Sequence, residues 1–117
     1  MGPTLRRVTT MSANGTADPI QDADWIFRRL PFDAAIAIAD DTTGAAGTVL
    51  RQVTIGSDVQ AQESPVSAGG TAGVFPNQDA DFDGYVGARG DQIRVVYRET
   101  AAATPSVNTV VKLTPLS

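Results

Sequence analysis

Gln92-Ile93-Arg94-Val95-Val96-Tyr97-Arg98 is the stretch that sets the fold class. In an extended chain Ile93, Val95 and Tyr97 fall on one face, and Arg94, Val96 and Arg98 on the other. That period of two belongs to a half-buried strand, not to a helix. The same period recurs along the chain. Thr48 to Gly56 puts Val49, Val53 and Ile55 on one face, with Arg51 as the exception. Phe32 to Ala39 places Ile36 and Ile38 opposite Ala35, Ala37 and Ala39, and Val107 to Thr114 groups Val107, Thr109, Val111 and Leu113. Trp25 to Leu30 is bulky and β-prone and stops at Pro31, and Asp58 to Gln62 reads as a further short strand. Turn signals separate these pieces: Asp40-Asp41-Thr42-Thr43-Gly44, and the Gly-rich Pro65 to Gly73. The best helical candidate, Asp33 to Asp40, has its isoleucines two apart, and the alanines at 101–103 are cut short by Pro105. Short strands without crossover helices predict an all-β chain, either an antiparallel β-sandwich or a small barrel.

The first 24 residues differ from the rest. Residues 11–24 contain Asn-Gly, Asp-Pro and three acids, with almost no large apolar side chain. That composition predicts an N-terminal arm over 1–24, with one short strand from Leu5 to Thr10, ahead of a single β domain over 25–117.

Composition narrows the chemistry. The chain has 117 residues, with no Cys and no His. Disulfide scaffolds, thiolate metal sites, Cys nucleophiles and imidazole-based triads are all excluded. A net charge of −4 disfavours direct nucleic-acid binding. No apolar run approaches the ~20 residues of a membrane helix, so no membrane partner is expected. Met1 to Arg7 lacks the apolar core of a signal peptide. Eleven of the thirteen acids are Asp, so close carboxylate pairs arise without selection, and no residue set reads as catalytic. A non-enzymatic binding or structural module is the expectation.

Asp79-Ala80-Asp81-Phe82-Asp83-Gly84 matches the first half of a calcium loop, with carboxylates at alternate positions before a Gly. The closing Glu is replaced by Gly90, with Asp91 one place later. Asp79, Asp81 and Asp83 are thus candidate calcium ligands, and no other cofactor is expected. Arg89-Gly90-Asp91 has the form of an adhesion motif, and its structural role would be a turn with Gly at positive φ. Arg6-Arg7 and Arg28-Arg29 on an acidic chain suit salt bridges or protein contacts better than phosphates. Trp25 beside Arg28 and Arg29 is interface composition, although an indole also fills a core.

Asp83-Gly84-Tyr85-Val86-Gly87-Ala88-Arg89-Gly90-Asp91-Gln92-Ile93-Arg94-Val95-Val96-Tyr97 leads through a Thr/Ala/Pro-rich link to the strand Val107 to Leu113. Over roughly residues 25–117 this pattern resembles the small jelly-roll cement, or decoration, proteins of tailed-bacteriophage capsids. The resemblance implies a jelly-roll-like sandwich with an extended N-terminal arm. It also implies a virion structural protein that forms dimers or trimers on the outer capsid surface. There it would bridge major capsid subunits and so stabilise the shell. The candidate contact residues are Leu5, Arg6, Arg7, Trp25, Arg28 and Arg29. The alternative is a β-sandwich tail or surface module that binds carbohydrate or depends on calcium.

Overall fold

Strand formation follows the alternation of side chains. In the computed structural model, which describes residues 3–22, 25–76 and 82–116, the apolar members of each alternating run point inward. The strands are β1 (Thr4–Thr10), β2 (Thr16–Ala17), β3 (Ala34–Thr42), β4 (Val49–Ile55), β5 (Asp58–Pro65), β6 (Asp83–Gly87), β7 (Ile93–Glu99) and β8 (Ser106–Pro115). They form two four-stranded antiparallel sheets, in the orders β1-β8-β3-β6 and β2-β7-β4-β5. The chain changes sheet at every connection except the β4–β5 hairpin, and the first strand lies beside the last. This arrangement is a jelly roll, a sandwich of two interlocked Greek keys.

The core lies between the sheets. Ile36, Ile38, Val111 and Leu113 come from the first sheet, and Val49, Val53, Ile55, Ile93 and Val95 from the second; all are buried. The hairpin turns at Gly56, whose φ of 65° is left-handed and favours Gly.

Four stretches differ from the sequence expectation. The segment expected as an arm joins the sandwich over its described residues. β1 pairs with β8 from Thr4↔Lys112 to Thr10↔Ser106. Met11 and Ile20, the few large apolar residues of that segment, are both buried in the core. Ile20 is held there by a one-turn helix, α1 (Pro19–Asp22), where the Asp18 carboxylate accepts the N–H groups of Ile20 and Gln21. Trp25–Leu30 is not a strand: Ile26–Arg28 forms a 3₁₀ turn, and only Arg29 bridges to Gln92. The turn expected over 40–44 is displaced, because β3 continues to Thr42, paired with β8 from Pro115 to Val107. β6 was hidden in the sequence, since two of its five residues are Gly and it opens on Asp83.

β1 closes one side of the core, so deleting residues 1–10 should abolish the cooperative thermal transition followed by circular dichroism. A sharp transition at an unchanged Tm would show that β1 is dispensable.

Candidate functional site: an exposed tip and a polar cleft

The first candidate lies where the chain passes from α1 to β3. Trp25, Phe27 and Phe32 pack partly buried against the core. Trp25 meets Phe27 edge-on at 5.5 Å between centroids, and Phe27 lies 6.3 Å from Phe32. This aromatic base sets the position of the 3₁₀ turn and leaves Ile26 78% exposed at its apex. Arg28 folds back, its Nη1 donating to the Trp25 carbonyl at 3.1 Å. Arg29 is exposed and donates to the Gly90 carbonyl at 2.9 Å. With Gln92, these residues line a shallow cleft of about 460 Å³. The backbone is tied down as well: Leu30 N donates to Asp91 O, and Gly90 N to Leu30 O.

Of the other expected contacts, Leu5 faces inward opposite Val111 and packs on the core. Arg6 is exposed, and Arg7 is half-buried in register with Thr109. Arg89-Gly90-Asp91 forms the turn before β7. The Asp91 carboxylate accepts the Ala88 N–H at 2.9 Å, and Gly90 has φ of 93°.

The second candidate is a cleft of about 520 Å³ beneath the β5–β6 loop, lined by Asp40, Asp41, Arg51, Asp83, Ser67 and Phe75 among others. Its floor is a polar layer that interrupts the apolar core. Arg51 takes an inward position on β4, so its guanidinium must find acceptors between the sheets. Nη1 donates to Asp40 Oδ2 at 3.1 Å, and Nη2 to Asp83 Oδ2 at 2.8 Å. The Tyr97 hydroxyl donates to Asp40 Oδ2 at 2.7 Å and lies 3.0 Å from Thr109 Oγ1. A tyrosine has one hydroxyl proton, so Thr109 is the donor in the second bond. Burial lifts the Asp40 carboxyl above its usual range even against the pull of Arg51. Burial, reinforced by the adjacent Asp40, pushes Tyr97 well above an ordinary phenol. Burial also opposes the charge on Arg51, but Asp40, Asp83 and Tyr85 outweigh it, and the guanidinium stays charged.

Two more buried polar residues fasten loops around this layer. Asn108 donates to Asp41 Oδ1 and to the Thr71 carbonyl, and accepts the Gly73 N–H. Glu99 accepts backbone N–H groups from Asn14 at 2.9 Å, Ala101 at 2.7 Å and Ala103 at 3.1 Å. The Asn14 bond leads in holding its carboxyl below the usual range, with the alanine N–H groups adding to it and burial opposing.

Asp83 commits one oxygen to Arg51; Asp79 and Asp81 lie outside the described residues. Among the described residues no group of three His, Cys, Asp or Glu is placed to hold a metal. No helix among them is long and apolar enough to cross a membrane. No protein-family model, curated protein or solved structure matches the chain.

Arg51→Leu should lower stability at pH 7 by about 3–5 kcal/mol, because Asp40 keeps its burial and loses its cation. Its carboxyl would then rise further, so the folded state takes up a proton that the unfolded chain, near 3.8, does not. Urea denaturation should therefore find a smaller loss at pH 4.5 than at pH 7. Glu99→Gln turns one acceptor into a donor facing N–H groups, and should lower Tm at neutral pH. A carboxyl depressed by folding contributes stability above 4.5 and loses it as pH falls through the folded value. The Tm gap between wild type and variant should therefore close as the solution is acidified below that point.

Proposed function

We propose that this chain is a non-enzymatic virion structural protein that decorates the outer capsid surface. It would stabilise the shell by bridging major capsid subunits, and act as a homo-oligomer, a dimer or a trimer. The observation that carries this reading is the Ile26 tip. A lone exposed Ile is ordinary on a protein surface. This one sits at the apex of a tight turn on an aromatic base, beside Arg29 and the shallow cleft. An aliphatic anchor with neighbouring Arg and Trp, held rigid before binding, is hot-spot composition with little ordering entropy left to lose. The jelly-roll order supports the same reading, since viral capsid domains are among the users of that fold. Preferential binding to the intact lattice stabilises it by mass action, and many copies add avidity.

The polar cleft favours a second reading, a carbohydrate-binding surface module. Carboxylates and Arg51 could hydrogen-bond hydroxyls there, with Phe75 offering an apolar ring face. Lectin domains also use jelly rolls.

Cosedimentation with expanded tailed-phage shells, assembled from the virus's own major capsid protein, tests the first reading. Wild type should pellet saturably, without need of calcium. Ile26→Asp should weaken binding at least tenfold with Tm unchanged, since the side chain is exposed. Failure of the wild type to pellet, with saturable binding on a glycan array, would replace the first reading with the second.

A further inference from the structure

Four strands end the two sheets: β1 and β6 in one, β2 and β5 in the other. An open edge is a template for another strand, and natural sheets guard it with charge, irregularity or shortness. β1 carries Arg6 and Arg7. β2 has two residues. β5 carries Asp58, Glu63 and Pro65, and its register against β4 shifts twice. β6 reads Asp83-Gly84-Tyr85-Val86-Gly87 and has none of these guards except its length of five residues. Its one charged side chain, Asp83, turns to Arg51 at 2.8 Å. Among the described residues, the only backbone pairing of 84–87 is with β3.

The outer face of this strand is shaped as a knob beside a hole. Val86 stands 65% exposed. Two residues away, a Cβ added at Gly84 would meet nothing within 4 Å. The space over Gly84 is part of a mostly apolar groove of about 580 Å³, with Ala35 and Ala37 in its lining.

We infer that β6 is a self-pairing edge. Two copies join antiparallel, β6 to β6, about a twofold axis through Tyr85, and make one continuous eight-stranded sheet. Antiparallel pairing of identical strands is isologous and closes as a dimer. A second copy is favoured over an unrelated strand because knob and hole lie on the same five residues. With Tyr85 opposite Tyr85, Gly84 of each copy faces Val86 of the other, and each valine enters the groove beside Ala37. The edge is short, so the dimer is weak and concentration-dependent. This pairing uses none of the tip residues and holds whether or not a shell is the partner.

Sedimentation velocity of the wild-type chain across a concentration series should show a monomer–dimer equilibrium. Val86→Lys places a natural edge guard on an exposed site, and Gly84→Leu fills the hole at a residue without positive φ. Each should abolish the dimer while leaving the Tm of dilute protein unchanged. The chain has no Cys, which permits a register test. Mixing Gly84→Cys and Val86→Cys chains under mild oxidation should give a mixed disulfide in preference to either homodimer. A wild-type chain that stays monomeric to millimolar concentration overturns the inference. So does a dimer that survives both variants, or a mixture that shows no preference for the mixed disulfide. Shell binding by a monomeric Val86→Lys chain would leave the capsid reading standing on its own.

Discussion

A buried guanidinium joins the two halves of this sandwich, and much of the structure is arranged to tolerate it. Arg51 leaves the second sheet and reaches Asp40 and Asp83 on the first; Tyr97 follows it and bonds to the same Asp40 oxygen. Taking a charge out of water costs several kcal/mol unless the site returns hydrogen bonds of good geometry. The site returns them to the guanidinium from β3 and β6, and Tyr97 on β7 and Thr109 on β8 extend the chain from Asp40. Apolar contacts are non-directional and tolerate several alignments of two sheets. A bonded network between fixed strand positions admits one. On this view the layer contributes to the choice of alignment more than to net stability, most of which comes from the apolar residues on either side.

The same principle governs the loops. This chain is rich in Ala, Gly and Thr, so its long connections bury little apolar area of their own. Single polar side chains at buried positions hold them instead. Glu99 gathers the β1–β2 and β7–β8 connections through backbone N–H groups. Asn108 ties the β5–β6 loop to the outer face of the first sheet, where Asp41 stands beside it. Such groups must be fully satisfied, because an unmade bond in a buried site costs more than a made one gains. The cleft over Arg51 therefore has a fixed floor and a tethered roof, which gives a polar ligand a defined set of partners.

The alternating runs made β3, β4, β7 and β8 legible from the sequence, because each has an apolar face to bury and a period of two records it. What escaped was information carried by tertiary context. β6 is written in Gly, Tyr and Val, with no alternation to read, and becomes a strand only because β3 offers it an edge. Trp25 to Leu30 has strand propensity, but the aromatics pack on the core as a turn, and packing overrides propensity. The polar layer left one trace: Arg51 as the exception in an otherwise apolar face. Asp40 was its natural partner, since it continues the inward series after Ile36 and Ile38. Reading 40–44 as a turn removed Asp40 from that face and concealed the pair. Sheet order was beyond local reading, because pairing β1 with β8 joins opposite ends of the chain.

Evolution tolerates an exposed strand edge only where pairing there is harmless or useful, since such an edge otherwise templates aggregation. Three edges of this sandwich carry outward charge, an irregular register or a length of two residues, and β6 has only its five-residue length. If two copies join there and the Ile26 tip is the capsid contact proposed above, the dimer presents two such tips, each a small contact on its own. Once one tip is engaged, the second binds within the complex at a high effective concentration, provided that its site lies within reach. A rigid eight-stranded sheet between the tips would fix that reach. The dimer would then bind a surface that repeats at one spacing and ignore isolated subunits or a lattice of another spacing. On the proposed function, a weak edge and a weak tip would be the combination suited to reading a lattice: either one, made strong, would bind its partner without regard to geometry.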